Sequence, residues 1–284
     1  MSAETAVPTL EHLTGLWTRS LIAWPDGRRD TTTQVLWLQG PGFYADLRQP
    51  EGMPDFSRMR RLADVTDEQL TWLARQEAFA GELHFDGDCF EWERDINMQP
   101  PAARADRGYL RFERGMLVEE GEQGAYIEHW HRSPQHGAVS AARLHASSGH
   151  SGYLLRLGPT FVYARGNLTQ LPPNETLLSC VRSAPSAEAA RRLVDFEVSF
   201  GRIGPEGWRI ECSSLPFRCG HLLEARATGP SALSVIESDF SAGLRVRPWQ
   251  IVALRGSARD AAALTAFYPD EDLNLRNPLP GARS

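Results

Sequence analysis

Thr66–Gly81 reads TDEQLTWLARQEAFAG, and Ser186–Gly201 reads SAEAARRLVDFEVSFG. At one fixed offset Glu68 matches Glu188, Leu73 matches Leu193, Glu77 matches Glu197 and Gly81 matches Gly201. Upstream, LQGPGFYA (Leu38–Ala45) parallels RLGPTFVYA (Arg156–Ala164), with Gly-Pro and then Phe in both. The two matches come in the same order at nearly the same spacing, which predicts a tandem duplication of a whole domain, since a period this long is no solenoid repeat. Two units are also what 284 residues suggest. They divide into an N-terminal domain over 1–135 and a C-terminal domain over 136–284.

Around the repeated helix the chain is written in short strands and turns. Leu16–Trp24, Thr31–Leu38 and Phe43–Arg48 are rich in β-branched and aromatic residues and are broken by Pro25-Asp26-Gly27 and Gly40-Pro41-Gly42. Thr66 can cap a helix whose first turn carries Asp67 and Glu68. Strands resume at Gln76–His84 and Cys89–Asn97 across Asp86-Gly87-Asp88, then at Arg107–Glu113, Met116–Glu120 and Ala125–Arg132. The second half repeats this grammar, with a helix over Ser186–Val194 and a closing helix over Ser257–Phe267. Short strands with turns every eight to twelve residues predict an all-β chain, and eight antiparallel strands close into a barrel that can hold one small ligand.

Gly15-Leu16-Trp17 at the first strand resembles the Gly-x-Trp opening of the lipocalin and calycin families. The runs WLQGPGFYADLRQP (Trp37–Pro50) and YIEHWHR (Tyr126–Arg132) resemble a family of uncharacterised bacterial proteins, itself similar to a fungal family built of two lipocalin-like barrels. The resemblance covers most of the first half and part of the second. It implies two tandem lipocalin-like antiparallel β-barrels, each with one short helix, and little chemistry.

Composition narrows the function. The net charge is −6 with no basic run, which disfavours a nucleic-acid groove. No apolar stretch reaches the ~18 residues of a transmembrane helix, and MSAETAVPTLEHLTG lacks the basic and apolar regions of a signal peptide. Cys89, Cys180, Cys212 and Cys219 are scattered and form no C-x-x-C pair, so the expectation is a cytoplasmic protein with reduced thiols and no cofactor. There is no P-loop, G-x-S-x-G elbow or G-x-G-x-x-G.

The densest polar-aromatic segment is Tyr126–Arg132. On a strand, Tyr126, Glu128, Trp130 and Arg132 share one face, while His129 and His131 share the other. With the first face inward, a carboxylate, a guanidinium and two aromatics would orient a small ligand in an apolar cup. The alternatives are a structural Glu128–Arg132 pair or a solvated face. His129 and His131 lack further partners at metal spacing and read as a surface pair, so no metal site is expected. Glu77, repeated as Glu197, is either a hydrogen-bond acceptor at the helix-to-strand turn or, if desolvated, a general base. Tyr44, Asp46 and Arg48 share a face that reads as the solvent side of a barrel. Trp17, Trp24, Trp37, Trp72, Trp92 and Trp130 lie in the first half, against Trp208 and Trp249 in the second, which points to the N-terminal barrel as the ligand carrier, with Trp92 in its wall.

The chain therefore reads as a binding protein for a small apolar or amphipathic ligand, with Tyr126, Glu128, Trp130, Arg132, Trp92 and Glu77 as candidate ligand-binding residues. A homodimer is left open. The alternatives are an enzyme on the same fold, of hydrolase or isomerase type, using Glu128, His129 or Glu77 as acid or base, and an interaction scaffold with both barrels filled. No catalytic residue is assigned.

Overall fold

The computed structural model describes residues 7–240 and 243–266. The first sheet comprises β1 (Gly15–Ala23), β2 (Arg29–Asp30), β3 (Gln34–Gln39), β4 (Phe43–Gln49), β5 (Glu77–Phe85), β6 (Phe90–Asn97), β7 (Arg107–Glu113), β8 (Met116–Gly121) and β9 (Ile127–Arg132). Consecutive strands pair antiparallel, β2 hangs on β1 alone, and β9 returns to β1 through pairs such as Trp17–Arg132 and Ile22–Glu128. The result is a closed eight-stranded barrel.

The second sheet comprises β10 (Val139–His145), β11 (Ser151–Leu157), β12 (Thr160–Arg165), β13 (Glu197–Gly204), β14 (Gly207–Ser213), β15 (Glu224–Gly229), β16 (Ala232–Asp239) and β17 (Gly243–Gly256). Its order is β14-β13-β12-β11-β10-β17-β16-β15. This corrects the expectation of a second closed barrel: the sheet is curled but open between β14 and β15. The same seam is thin in the first unit, where β6 and β7 share only the pairs Phe90–Gly108 and Glu91–Arg107. In the second unit a single bridge, Arg209–Leu222, spans the gap. Between β14 and β15 the chain turns through Pro216–Arg218. Proline has no N–H to give a ladder, and Phe217 is drawn into the apolar core instead.

The helices also exceed one per unit. The first unit has α1 (Leu10–Leu13) and α2 (Asp67–Leu73). The second has α3 (Leu177–Ser183), α4 (Ala187–Leu193) and α5 (Ala261–Thr265). The repeated pair is α2 and α4, each lying between the third and fourth barrel-type strands. Thr66 caps α2 by accepting from the Gln69 N–H, and Ser186 caps α4 by accepting from the Ala189 N–H. The expected closing helix shrinks to α5, and Phe267 lies outside the described residues.

Packing gives the repeat its meaning. One apolar core joins Leu36, Leu38, Phe43, Ala45 and Leu47 of the first sheet to Ala141, Leu155, Val162, Val198 and Phe200 of the second. These side chains stand on the outer faces of the sheets, so the two units bury their outer walls against each other. A separate cluster fills the inside of the barrel: Trp17, Trp37, Tyr44, Phe79, Phe90, Trp92, Leu110, Leu117 and Trp130. Strands at the junction are consequently buried on both faces, β4 and β12 nearly throughout. The expected solvent face of β4 is therefore inverted. Tyr44, Asp46 and Arg48 point into the barrel, and Phe43, Ala45 and Leu47 point at the second unit.

Gly81 and Gly201, matched in the repeat, each sit on a β-bulge. A Cβ on Gly81 would lie 1.8 Å from the Glu93 carbonyl oxygen, and one on Gly201 would lie 2.1 Å from that of Arg209. Both clashes are with backbone, which cannot swing away. Gly81→Ala and Gly201→Ala should each cost about 3 kcal/mol, the upper end of overpacking, read as a fall in urea midpoint at unchanged slope.

Candidate functional site

The barrel interior is apolar at one end and charged at the other. The apolar end is closed by stacked and edge-on indoles: Trp37 packs on Trp17 at 5.9 Å, on Trp130 at 5.4 Å and on Trp92 at 6.0 Å between ring centroids. Such pairs fill volume well. The charged end gathers Arg19 from β1, Asp46 and Arg48 from β4, Arg94 from β6, Asp106 before β7, Glu119 from β8 and Glu128 from β9.

Glu128 is 1% exposed and takes Arg19 Nη1 at 2.5 Å, with Arg48 Nη1 at 3.7 Å. Arg48 Nε donates to Asp46 at 2.9 Å. The Phe79 ring lies between two guanidiniums, Arg94 at 3.6 Å and Arg48 at 5.1 Å. Arg94 is also paired with Asp106. Glu119 sits directly across from Glu128 in the ladder. It accepts from Tyr126 Oη at 2.8 Å and from Trp130 Nε1 at 3.1 Å. Burial, and then the negative charge of Glu128, push the Glu119 carboxyl well above the usual carboxylate range. Burial also raises Asp46. At the rim, Asp30 is held down to about 2, because hydrogen bonds from Thr33 and Thr32 outweigh its partial burial.

Of the residues singled out in the sequence, Glu128, Trp130 and Trp92 face this interior, and Tyr126 reaches it through Glu119. Glu77 is exposed at the rim, opposite Arg48 in the ladder. Arg132 is not there. It lies exposed at the opposite end, over the Trp17 ring at 4.7 Å, and donates to the His12 carbonyl. The expected Glu128–Arg132 pair is thus replaced by Glu128–Arg19, because four residues of strand carry Arg132 past the other end of the lumen. His131 meets Ser20 at 2.8 Å on the outside. Among the described residues no group of three or more His, Cys, Asp or Glu is placed to hold a metal ion. No described helix is long and apolar enough to cross a membrane.

Two larger clefts open beside the barrel and between the units. A cleft of about 540 Å³ flanks the thin β6–β7 seam, lined by Trp92, Arg94, Asn97, Gln99, Asp106 and Leu171 among others. Arg94 Nε is buried and has no hydrogen-bond partner among the described residues. A second cleft, of about 580 Å³, lies between the units under the chain from Pro50 to Arg60, walled by Phe56, Trp72 and Phe217. Nothing in the sequence pointed to it. Its deep polar groups satisfy one another: Gln49 Nε2 donates to Gln76 and to the Ser213 carbonyl, and Cys212 Sγ donates to Gln49 Oε1. That network fastens the two units together.

No protein-family model matches the chain, and no curated protein matches its sequence. Among solved structures it is similar to an uncharacterized protein of Saccharomyces cerevisiae, YLR301w, with a TM-score of 0.49 and 12% identity over 86% of this chain and 98% of that one.

Two measurements test the charged end. Glu119 has a folded pKa raised above its unfolded value of 4.5. Its contribution to stability is therefore complete below that pH and lost as pH rises toward the folded value, at about 1.4 kcal/mol per pH unit. Asp46 acts with the same sign. Glu119→Gln keeps the shape and removes one proton from that balance, so urea midpoints taken from pH 5 to 8 should fall less steeply in the variant than in the parent. Glu128→Gln leaves Arg19 without its short ionic partner and should destabilise by about 3–5 kcal/mol, measured the same way at pH 7.

Proposed function

We propose that the chain is a small-molecule-binding protein whose ligand seats at the mouth of the N-terminal barrel, against Trp92, Arg94 and Asp106. The observation that carries this is the seam cleft, where the Trp92 ring and the partly exposed Arg94 guanidinium line one concavity. An apolar cavity with a few convergent polar groups is the usual form of a ligand site. Between the apolar and the amphipathic ligand, this cleft favours the amphipathic one: its apolar body would lie along Trp92 and Leu171, and its polar head would take Arg94. The inter-unit cleft is a poorer candidate, because its buried polar atoms are already engaged with one another.

In this proposal 1–135 is the ligand-bearing domain and 136–284 the domain that supports it. Kinship with two-barrel calycin-like proteins is part of the same reading, supported by the repeated caps, bulges and Arg–Glu ladder pairs of the two units. A cytosolic location is supported by the cysteines, all four of which are free thiols.

One observation favours the acid-base alternative. Glu119, whose pKa is raised first by burial and then by the charge of Glu128, lies beside that residue, and a carboxyl kept neutral in this way serves as an acid elsewhere. Neither lines the seam cleft, so binding remains the better-supported reading.

The test uses the full chain, since the units share a core. An amphipathic fluorescent probe, 11-(dansylamino)undecanoic acid, is titrated while tryptophan is excited and dansyl emission is followed. One site with energy transfer is expected. Trp92→Ala and Arg94→Gln should each weaken binding about tenfold, or 1.4 kcal/mol, while Met53→Ala in the inter-unit cleft should leave it unchanged. If Met53→Ala weakens the probe and Trp92→Ala does not, the site lies between the units and the proposal fails.

A further inference from the structure

The second unit has its own charged basin, of about 210 Å³, at the corresponding end of its sheet. Four guanidiniums line it: Arg165 from β12, Arg192 from α4, and Arg245 and Arg247 from β17. Arg165 occupies the ladder position opposite Glu197 that Arg48 occupies opposite Glu77. The arginines come in two kinds. Arg165 and Arg247 are 2% and 6% exposed, whereas Arg192 and Arg245 are 53% and 52% exposed. The inner pair is fixed from below. Glu237 takes Arg247 Nε at 2.5 Å and Arg165 Nε at 3.3 Å, and accepts from Tyr163 Oη at 2.9 Å. Arg165 Nη2 also reaches Asp195 at 2.6 Å, and Arg247 Nη1 reaches Ser148 Oγ at 2.8 Å and His150 Nδ1 at 3.0 Å. Of the outer pair, Arg245 is held by Asp239. Arg192 is held by Glu188 at 2.7 Å and stacks on Phe240 at 4.2 Å.

Each guanidinium has a carboxylate partner, but the lining itself presents four guanidiniums and only two carboxylates, Asp195 and Asp239; Glu237 and Glu188 hold their arginines from outside it. His150 lies on the rim. Burial first, and then the charges of Arg247 and Arg165, hold its imidazole down to about 4, so it stays neutral and adds no further repulsion among the arginines. An anion entering the basin would meet more guanidinium than carboxylate on its walls. The forked donors of arginine match the geometry of phosphate and carboxylate groups.

We propose that this basin binds a small oxyanion, a phosphate or the phosphoryl group of a larger molecule, with Arg165 and Arg247 as the fixed floor and Arg192 and Arg245 as the arms that close on it. The site is separate from the mouth of the N-terminal barrel, with which it shares only Thr169 as a lining residue, and it does not depend on the ligand proposed there.

The experiment titrates inorganic phosphate, phenyl phosphate and acetate into the full chain by calorimetry, against sodium chloride at matched ionic strength. Thermal midpoints are recorded alongside. Phosphate or phenyl phosphate should bind at one site and raise the midpoint where chloride does not. Arg192→Gln and Arg245→Gln, on half-exposed side chains that the fold can lose, should each weaken binding about tenfold. Tighter binding of phenyl phosphate would assign the group to a phosphomonoester, and tighter binding of inorganic phosphate to the free ion. Either supports the site. Equal responses to phosphate and chloride, acetate binding as tightly as phosphate, or affinity unchanged in both variants would overturn it.

Discussion

The burial of one sheet's outer wall against the other's is the constraint on which the rest of this molecule depends. Leu36, Leu38, Phe43, Ala45 and Leu47 meet Leu155, Val162, Val198 and Phe200 across the junction, and a Leu or Phe side chain taken fully out of water contributes about 1.5–3 kcal/mol. A barrel that commits its outer face to a neighbour cannot use that face for solvation. Its polar residues on the same strands then have only the inside to go to, which is why Asp46 and Arg48 point into the lumen.

The inward charges must in turn be made tolerable. The first barrel does this by segregation: indoles fill one end, and the ionic groups crowd the other, where Arg48, Arg94, Asp106 and Asp30 retain some solvent contact. Groups that lack such contact change their protonation instead. Glu119, walled in beneath Glu128, favours its neutral form. The second unit solves the same problem with Glu237 placed between Arg165 and Arg247. The repeated Arg–Glu ladder positions therefore mark a shared architecture more than a shared chemistry.

The seam between the fifth and sixth barrel-type strands is where the two copies part. Two ladder pairs close it in the first unit and one bridge crosses it in the second. A weakly paired seam lets a side chain such as Arg94 reach the surface without leaving the barrel wall. In the second unit Pro216 and Phe217 turn the chain away at the equivalent place, and the ladder is not completed.

Local chemistry was legible along the chain. Thr66 and Ser186 marked their helices because a hydroxyl before an acidic or alanine-rich turn can satisfy an N–H that nothing else can. Gly81 and Gly201 stood out only as matched positions of the repeat, their bulges being unread, while strand alternation put Glu128 and Trp130 on one face. The same alternation held a signal for Glu119, which shares a face of β8 with buried Leu117, and that went unread. What alternation cannot say is which face is inside. A period of two separates the faces of a strand but assigns neither to water. For β4 the apolar face proved to be the outer one, because a second sheet covers it. Nor does alternation limit how far along a strand the lumen extends, and so Arg132, in phase with Glu128, falls beyond it. Sequence determined the elements, the repeat and the pairs of faces. Only tertiary packing decided which face met water, which carboxylate met which guanidinium, and whether the last seam closed, since these depend on contacts between separate strands, some of them more than a hundred residues apart.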